Sequence, residues 1–197
     1  MLEKEKGTFN VPVGVKFHGY EMFQQQPSFK SNLQAKLLKK PVLENNLMAD
    51  YVFSYGAKIT DLIEEIGIKK SNIIEIPGAV DAYWVDSESE IASYKEVVRF
   101  LFVGRFERRK GVEELTHAIA ELLKDNAINA CFEFAGPIPE KNRLVHPKVI
   151  YHGAVNDKNV LKEIYKNSQV LICPSYSEGM PNVIMEAMSQ GVAIIAT

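Results

Sequence analysis

Apolar and polar residues follow one another along this chain in a pattern that predicts alternating strands and helices. In the first part, short apolar runs at residues 13–17, 50–55 and 72–77 predict three strands. The stretches between them, 28–39 and 58–66, predict helices. This β-α-β-α-β order is about half of a doubly wound domain, in which helices cover a parallel sheet.

The alternation is fuller after an acidic, polar stretch at residues 86–90. Residues 97–103 form a nearly unbroken apolar run, which is typical of a strand covered on both faces of a parallel sheet. Further strands are predicted at 131–135, 149–152, 169–173 and 192–196, and helices at 112–124, 157–167 and 181–190. We therefore predict an α/β fold with doubly wound, Rossmann-like parallel sheets: a partial first domain at 1–82, a linker at 83–96 and a nearly complete second domain at 97–197.

Two glutamates, Glu178 and Glu186, lie around the start of the helix predicted at 181–190. A carboxylate among apolar residues loses hydration, which is costly unless a partner compensates for it. Pro181 suits a first helical turn, because its missing N–H has no helical partner there. The pattern thus predicts Glu178 in a strand-to-helix loop and Glu186 in the second helical turn, both directed at the crevice beyond the strand ends. The alternative is that both are solvated surface residues.

A basic turn follows the first strand of the predicted second domain. Arg105 and Lys110 lie on either side of this strand-to-helix turn. The guanidinium group is a planar fork that matches phosphate oxygens, and the ammonium group is a compact charge, so together they can hold a diphosphate. The alternative is a solvated turn with Glu107 as its counterion, which is how we interpret Arg108 and Arg109.

These motifs together resemble a known family. The pattern Gly-Arg-Phe…Lys-Gly at 104–111, followed by Glu-Gly-Met-Pro…Glu-Ala-Met at 178–188, resembles the retaining glycosyltransferases of the GT-B fold, the group 1 class that uses nucleotide-sugar donors. The segments 49–54 and 74–81 and the His18-Gly19 loop are also similar to this family. One departure is Gly78-Ala79-Val80 after the proline, where the family more often has Asn-Gly-Val.

The resemblance implies a role for each matching residue. Arg105 and Lys110 would hold the donor's diphosphate and stabilise the leaving nucleotide. Glu178 would contact hydroxyls of the transferred sugar, and Glu186 would accept hydrogen bonds from the ribose hydroxyls. His18 would lie across the cleft, near the donor sugar and the acceptor. The donor-binding set would be completed by Gly104 and by the backbone around Gly179, Met180, Pro181 and Asn182.

The resemblance also implies a reaction. The enzyme would move a sugar to a polysaccharide, lipid-linked or small-molecule acceptor with retention, by front-face substitution, since no nucleophile is visible. The histidines show no metal-ligand spacing with cysteines or acids, so we expect no metal and no cofactor besides the nucleotide-sugar substrate. By resemblance the chain is a fragment that covers the end of one domain and most of the next. We expect this fragment alone to transfer little sugar.

Composition narrows the partners and the location. A formal net charge of −2 argues against nucleic acid as the main partner, because proteins that bind nucleic acid usually have a basic surface. Cys131 and Cys173 fall in apolar strand-like runs and predict reduced core thiols. No apolar run approaches the ~20 residues that cross a bilayer, and the charged first residues have no signal-peptide core behind them. We expect a cytoplasmic protein, with contact at most to the inner face of the membrane.

Alternatives from other classes stay open. The glycine fingerprint of nicotinamide enzymes and the Gly-Lys-Ser/Thr signature of phosphate-loop nucleotidases are both absent from the sequence. A non-catalytic nucleotide- or sugar-binding module, or a partner subunit, fits the same motifs. Lysines and leucines at 33–40 would suit either a solvated helix face or an interfacial helix for lipid-linked acceptors. The apolar last strand at 192–196 would be a surface for self-association.

Overall fold

The computed structural model describes residues 11–17, 19–85, 96–125 and 127–197, and it is an α/β structure with two parallel sheets. The chain divides into two compact units. The first contains the residues up to Gly78 together with the short segment Ser177–Met180. The second contains Ala79–Tyr176 and Pro181–Thr197.

The first unit is built on a three-stranded parallel sheet in the order β1-β2-β3. Its core brings together Tyr20, Val42, Val52, Ile63 and Ile68. The predicted β-α-β-α-β succession is confirmed. The elements are β1 (Gly14–Val15), α1 (Phe29–Met48), β2 (Tyr51–Ser54), α2 (Lys58–Glu65) and β3 (Ile73–Glu75).

Helix α1 is longer than the sequence predicts. The expected end lies at residue 39, before Pro41, yet the helix continues to Met48 with Pro41 inside it. Proline removes one backbone hydrogen bond and normally ends or bends a helix. Here Val42 and Asn46 continue the buried face begun by Ala35, so packing outweighs the local preference. The phenol of Tyr20 also donates to Asn46 Oδ1 at 3.0 Å.

The second unit contains a five-stranded parallel sheet in the order β6-β5-β4-β7-β8. Each predicted strand and helix of this region is confirmed within a few residues at its ends. The strands are β4 (Val98–Val103), β5 (Ala130–Ala135), β6 (Val149–Gly153), β7 (Val170–Cys173) and β8 (Ala193–Ala196). The helices are α3 (Val112–Leu122), α4 (Lys158–Lys166) and α5 (Asn182–Ser189).

Apolar side chains cover both faces of this sheet, as a doubly wound domain requires. Alternate residues of a strand point to opposite faces. Phe102 and Phe134 therefore join a cluster with Ile119 of α3, while Leu101 joins a separate cluster with Tyr165 of α4. The long apolar run of the sequence thus corresponds to a strand buried from both sides.

Strand β5 carries a buried charge that its apolar neighbours do not suggest. Glu133 is 6% exposed, and its carboxylate lies 2.5 Å from Arg99 of β4 and 2.7 Å from His152 of β6. A buried carboxylate needs such partners. Both cysteines are free thiols, but Cys131 is only partly buried, whereas Cys173 is buried as expected.

The order of the strands determines which loops are neighbours. Strands β4 and β7 are far apart in the sequence but adjacent and parallel in the sheet. Their carboxyl ends therefore lie side by side, and so do the loops that leave them. No helix in the described part of the chain has both the length and the apolar composition needed to cross a membrane.

Candidate functional site

The loop that follows β4 begins with Gly104 and holds the predicted cations. Gly104 donates its N–H to the carbonyl of Ala135 at 2.9 Å, which continues the sheet by one residue. The Arg105 side chain is 71% exposed, and its guanidinium lies 2.9 Å from Glu107. Glu107 also pairs with Arg109 at 3.0 Å. Because the Arg105 side of the pair is largely in solvent and Glu107 keeps Arg109 as a partner, an incoming anion can compete with Glu107 for Arg105.

A 3-10 turn from Arg108 to Lys110 completes this loop, and Gly111 connects it to α3. The N–H of Lys110 donates to the carbonyl of Glu107 at 2.9 Å, which fixes the backbone of the turn. Gly111 has a φ of 66°, in the left-handed region that favours glycine. A Cβ at this position would lie 1.9 Å from the carbonyl oxygen of Pro174, so the β4 and β7 loops touch here at backbone level.

Arg108, Glu114 and Tyr176 form a second contact between the two loops, which we call the Arg108 network. Arg108 pairs with Glu114 of α3 at 2.5 Å, and the phenol of Tyr176 donates to the same carboxylate at 2.8 Å. The Tyr176 N–H also donates to the carbonyl of Arg109 at 2.8 Å. Arg108 is exposed, as expected for a turn residue, but its counterion is Glu114 and not Glu107.

The Arg108 network has a clear electrostatic consequence. Burial works to raise the pKa of Glu114, but the hydrogen bonds from Arg108 and Tyr176 outweigh it, and the pKa lies below its ordinary value. The hydrogen bond to Glu114 likewise raises the pKa of Arg108. Glu114 therefore stays ionised at neutral pH. In this form it accepts hydrogen bonds from both Arg108 and Tyr176, which connect the two loops.

Glu186 lies in the second turn of α5, as predicted, and it has a specific partner. The phenol of Tyr165 on α4 donates to Glu186 Oε2 at 3.0 Å. Burial raises the pKa of Glu186, while this hydrogen bond and the charge of Lys158 work in the opposite direction. Sequence reasoning identified Glu186 but missed Tyr165, because no local pattern connects residues on two separate helices.

Helix α5 begins at Asn182, with Pro181 immediately before it in an extended conformation. The expected helix 181–190 therefore starts one residue later. Its first N–H groups have no partner within the helix, which makes this end suitable for an oxygen-rich ligand. Asn182 is exposed. Ile184 donates its N–H to the carbonyl of Pro181 at 3.0 Å, and this hydrogen bond fixes the angle at which the chain enters α5.

Glu178 lies in the short segment that groups with the first unit. There the side-chain amide of Gln24 donates to the carbonyl oxygen of Glu178 at 3.1 Å. A Cβ on Gly78 would lie 2.6 Å from Met180 Cγ, so these two residues are in close contact. The Glu178 side chain is half-buried, as is Gly179. His18, the remaining predicted site residue, lies outside the described residues.

The structure thus brings together the Arg105–Lys110 turn and the start of the loop after β7, and it gives Glu186 a buried partner. Within the described ranges, no group of three or more histidine, cysteine or acidic side chains could hold a metal ion.

Comparison with known proteins identifies the family. The sequence profile of the group 1 glycosyltransferases matches residues 97–197, just over half of the chain. The chain belongs to the group 1 glycosyltransferases. The match covers the second unit's sheet and both loops described above.

Individual relatives agree with this assignment. A Bacillus subtilis glycosyltransferase named for teichuronic acid biosynthesis, TuaC, is 37% identical over 97 residues, which are 49% of this chain and 24% of TuaC. The uncharacterized glycosyltransferase MJ1607 of Methanocaldococcus jannaschii is 33% identical over 105 residues, 49% of this chain and 26% of that protein. The chain therefore aligns with only about a quarter of the length of these two curated relatives.

A solved structure shows the same fold. Sucrose-phosphate synthase from Thermosynechococcus elongatus superposes with a TM-score of 0.73 and 22% identity, over 98% of this chain and 52% of that one. The GT-B-type, Rossmann-like α/β fold predicted from the sequence is thereby confirmed.

Proposed function

We propose that this group 1 glycosyltransferase chain binds a nucleotide-sugar donor, and that the whole protein transfers the sugar to an acceptor with retention of configuration. The observation that carries the proposal is the backbone contact between the β4 and β7 loops, where Gly111 meets Pro174 and Tyr176 donates to Arg109. This contact supports a preformed pocket edge that presents Arg105 and Lys110 beyond the carboxyl ends of the strands.

Arg105 and Lys110 bind the diphosphate of the donor. Breaking the bond between sugar and phosphate leaves negative charge on the departing diphosphate, and cations already in position stabilise that charge. The exposure of the Arg105 side chain supports this role, because its guanidinium can exchange the carboxylate of Glu107 for phosphate oxygens at low cost. Lys110, on its fixed turn, supplies the second charge.

Glu186 accepts hydrogen bonds from the ribose hydroxyls of the donor. Its partial burial and the hydrogen bond from Tyr165 support this role, because an oriented carboxylate can accept from two neighbouring hydroxyls. Glu178 contacts the transferred sugar, and His18 lies near the acceptor. Gly104 and the backbone around Gly179, Met180, Pro181 and Asn182 complete the donor site.

The transfer proceeds on the face from which the diphosphate leaves. The bond from the anomeric carbon to phosphate oxygen breaks, the acceptor oxygen forms the new bond on the same face, and the departing diphosphate takes up the acceptor proton. No residue forms a covalent intermediate. The two cations supply the electrostatic stabilisation, so the reaction needs no metal and no further cofactor.

The acceptor is a polysaccharide, a lipid-linked sugar or a small molecule. The name of TuaC, which refers to teichuronic acid biosynthesis, supports a role in polysaccharide synthesis. The free thiols of Cys131 and Cys173 support a reducing, cytoplasmic location.

The direct test measures donor binding by the chain itself. Uridine, guanosine and adenosine diphosphates are titrated separately by calorimetry, with nicotinamide adenine dinucleotide as the competing ligand class. We expect one diphosphate to bind, and Arg105→Ala and Lys110→Ala each to weaken it about ten-fold. Lys124→Ala, which removes an exposed lysine that pairs with Glu121 outside these loops, is the matched control and should bind normally.

A second measurement tests catalysis in a protein that contains this chain and transfers sugar. Lys110→Ala should lower turnover by about 100-fold, or roughly 3 kcal/mol of barrier, with an unchanged thermal midpoint. NMR of the product anomer tests retention. Equal turnover in wild type and variant, or no binding of any diphosphate, would overturn the proposal. Binding without turnover would favour a non-catalytic module.

A further inference from the structure

The outer face of α1 carries a row of exposed apolar side chains. Phe29, Leu33 and Leu37 follow one another at four-residue spacing and are 87%, 55% and 71% exposed. This spacing places them on one side of a helix. The side that packs on the first unit is formed instead by buried Ala35 and Val42. The apolar row therefore points away from the core of its own unit.

Three lysines lie on the same side as this row. Lys30, Lys36 and Lys40 are exposed, and by helical geometry they fall with the three apolar residues within about 120° of the circumference. Helix α1 as a whole carries four lysines and one glutamate, in a chain whose net charge is −2. The glutamate, Glu44, lies 3.8 Å from Lys40 in an exposed pair. The face is thus both apolar and basic.

The mixture of apolar and basic side chains on this face of α1 favours a lipid interface over a protein partner as the surface that covers it. A protein partner that buried Phe29, Leu33 and Leu37 in a dry interface would also bury the lysines among them, and an unpaired buried ammonium group is costly. A lipid interface avoids this cost, because lysines extend along apolar surface and keep their charged ends among the headgroups. The excess positive charge also complements anionic lipid phosphates.

We propose that the outer face of α1, formed by Phe29, Leu33 and Leu37 with Lys30, Lys36 and Lys40, docks on an anionic lipid bilayer. The helix lies in the plane of the interface. Its apolar side chains enter the boundary between headgroups and acyl chains, and its lysines contact lipid phosphates. The inference concerns the first unit alone and does not depend on donor binding.

The test measures binding of the full chain to sedimented vesicles without donor or acceptor. Vesicles of phosphatidylglycerol and phosphatidylcholine are compared with phosphatidylcholine alone. We expect binding to the anionic vesicles and a marked loss with added salt. Leu33→Gln/Leu37→Gln should lower the partition coefficient about ten-fold or more, and Lys36→Gln/Lys40→Gln about ten-fold.

Matched variants separate this face from general surface effects. Leu122→Gln/Val145→Gln removes two exposed apolar residues of the second unit, 49% and 95% exposed, and should leave vesicle binding unchanged. Lys70→Gln/Lys124→Gln removes the same charge elsewhere and should have much less effect than Lys36→Gln/Lys40→Gln. Circular dichroism checks that each variant is folded.

Either of two kinds of result would overturn the inference, one in vesicle binding and one in self-association. One is equal binding by wild type and Leu33→Gln/Leu37→Gln, or no binding to anionic vesicles. The other is a lipid-free dimer in analytical ultracentrifugation that Leu33→Gln/Leu37→Gln dissociates, since a second copy would then cover this face.

Discussion

The phenol of Tyr165 donates to Glu186 Oε2 over 3.0 Å, and it connects two helices that lie on the same face of the second unit's sheet. Tyr165 is fully buried, and burial together with the negative charge of Glu186 raises its pKa. The phenol therefore remains a donor at every physiological pH. The hydrogen bond to Oε2 fixes the orientation of the Glu186 carboxylate. A carboxylate with a fixed orientation is suited to accept hydrogen bonds from a bound ligand.

Removing this donor should weaken nucleotide binding more than folding. We expect Tyr165→Phe to lower the affinity for the nucleoside diphosphate about five- to ten-fold, because Glu186 loses its orientation and becomes easier to protonate. Calorimetric titration at neutral pH measures the change. Tyr83→Phe is the matched control, since its hydroxyl donates to exposed Asn159 at 2.9 Å and not to Glu186. A similar loss in both variants would contradict a specific role for Tyr165.

Neutralising Glu186 should stabilise the protein while it impairs binding. Because burial raises the pKa of Glu186 above 4.5, its protonated form favours the folded state. That contribution is complete below the ordinary pKa and is lost as the pH rises through the raised value. At pH 7 we therefore expect Glu186→Gln to raise the thermal midpoint by about 1–2 °C. Thermal melts from pH 7 to pH 3.5 should show the difference vanishing at the acidic end.

Most of the fold follows from local patterns in the sequence. The apolar run that becomes β4 and the helical spacing of Val112, Leu115 and Ile119 are sufficient to predict a strand followed by a covering helix. Regular alternation of such units leaves few topologies, because parallel crossovers are right-handed. The doubly wound, parallel α/β architecture was predictable for this reason, whereas the GT-B type was predicted from the resemblance of the motifs at 104–111 and 178–188.

Other features were not predictable because they depend on distant residues. Pro41 indicates a helix end, yet α1 continues through it because Val42 and Asn46 find buried partners. Arg108 has the surroundings of a solvated turn residue in the sequence, and only the adjacency of β4 and β7 brings Tyr176 to it. Contacts of this kind depend on the order of the strands in the sheet, and that order cannot be predicted from the local spacing of apolar residues.

The Arg108 network should contribute stability that disappears in acid. Because the pKa of Glu114 is lowered, its contribution is present above the ordinary value of 4.5 and is lost as the pH falls through the lowered one. We expect Glu114→Gln to lower the thermal midpoint by about 1–2 °C at pH 7, with no difference from wild type at the acidic end. Melts across this pH range measure both.

Glu113 provides the control for this experiment. It lies in the same first turn of α3 and is exposed, but it only reaches Arg108 Nε at 3.5 Å. Glu113→Gln therefore removes the same charge near the helix start without breaking the bond from Tyr176. Equal effects of the two substitutions at pH 7 would show that helix-end charge, and not the network, is responsible.

Gly111 should be among the least replaceable glycines of the second unit's loops. Its φ of 66° costs any residue with a Cβ about 1–2 kcal/mol. Gly153 has a similar φ of 71°, but a Cβ added there would have no neighbouring atom within 4 Å, so Gly153→Ala isolates this conformational cost. A Cβ on Gly111 would in addition lie 1.9 Å from the Pro174 carbonyl oxygen, and neither backbone can move without separating the β4 and β7 loops.

We therefore expect Gly153→Ala to lower the thermal midpoint by about 2–6 °C, and Gly111→Ala by at least twice as much. Where Gly111→Ala remains folded, it should also bind the nucleoside diphosphate at least about ten-fold more weakly, because Lys110 moves with the displaced turn. Melting curves and calorimetric titration of both variants provide the measurement. If Gly111→Ala and Gly153→Ala had the same thermal midpoint and the same affinity for the nucleoside diphosphate, the backbone contact between the loops would not position the cations.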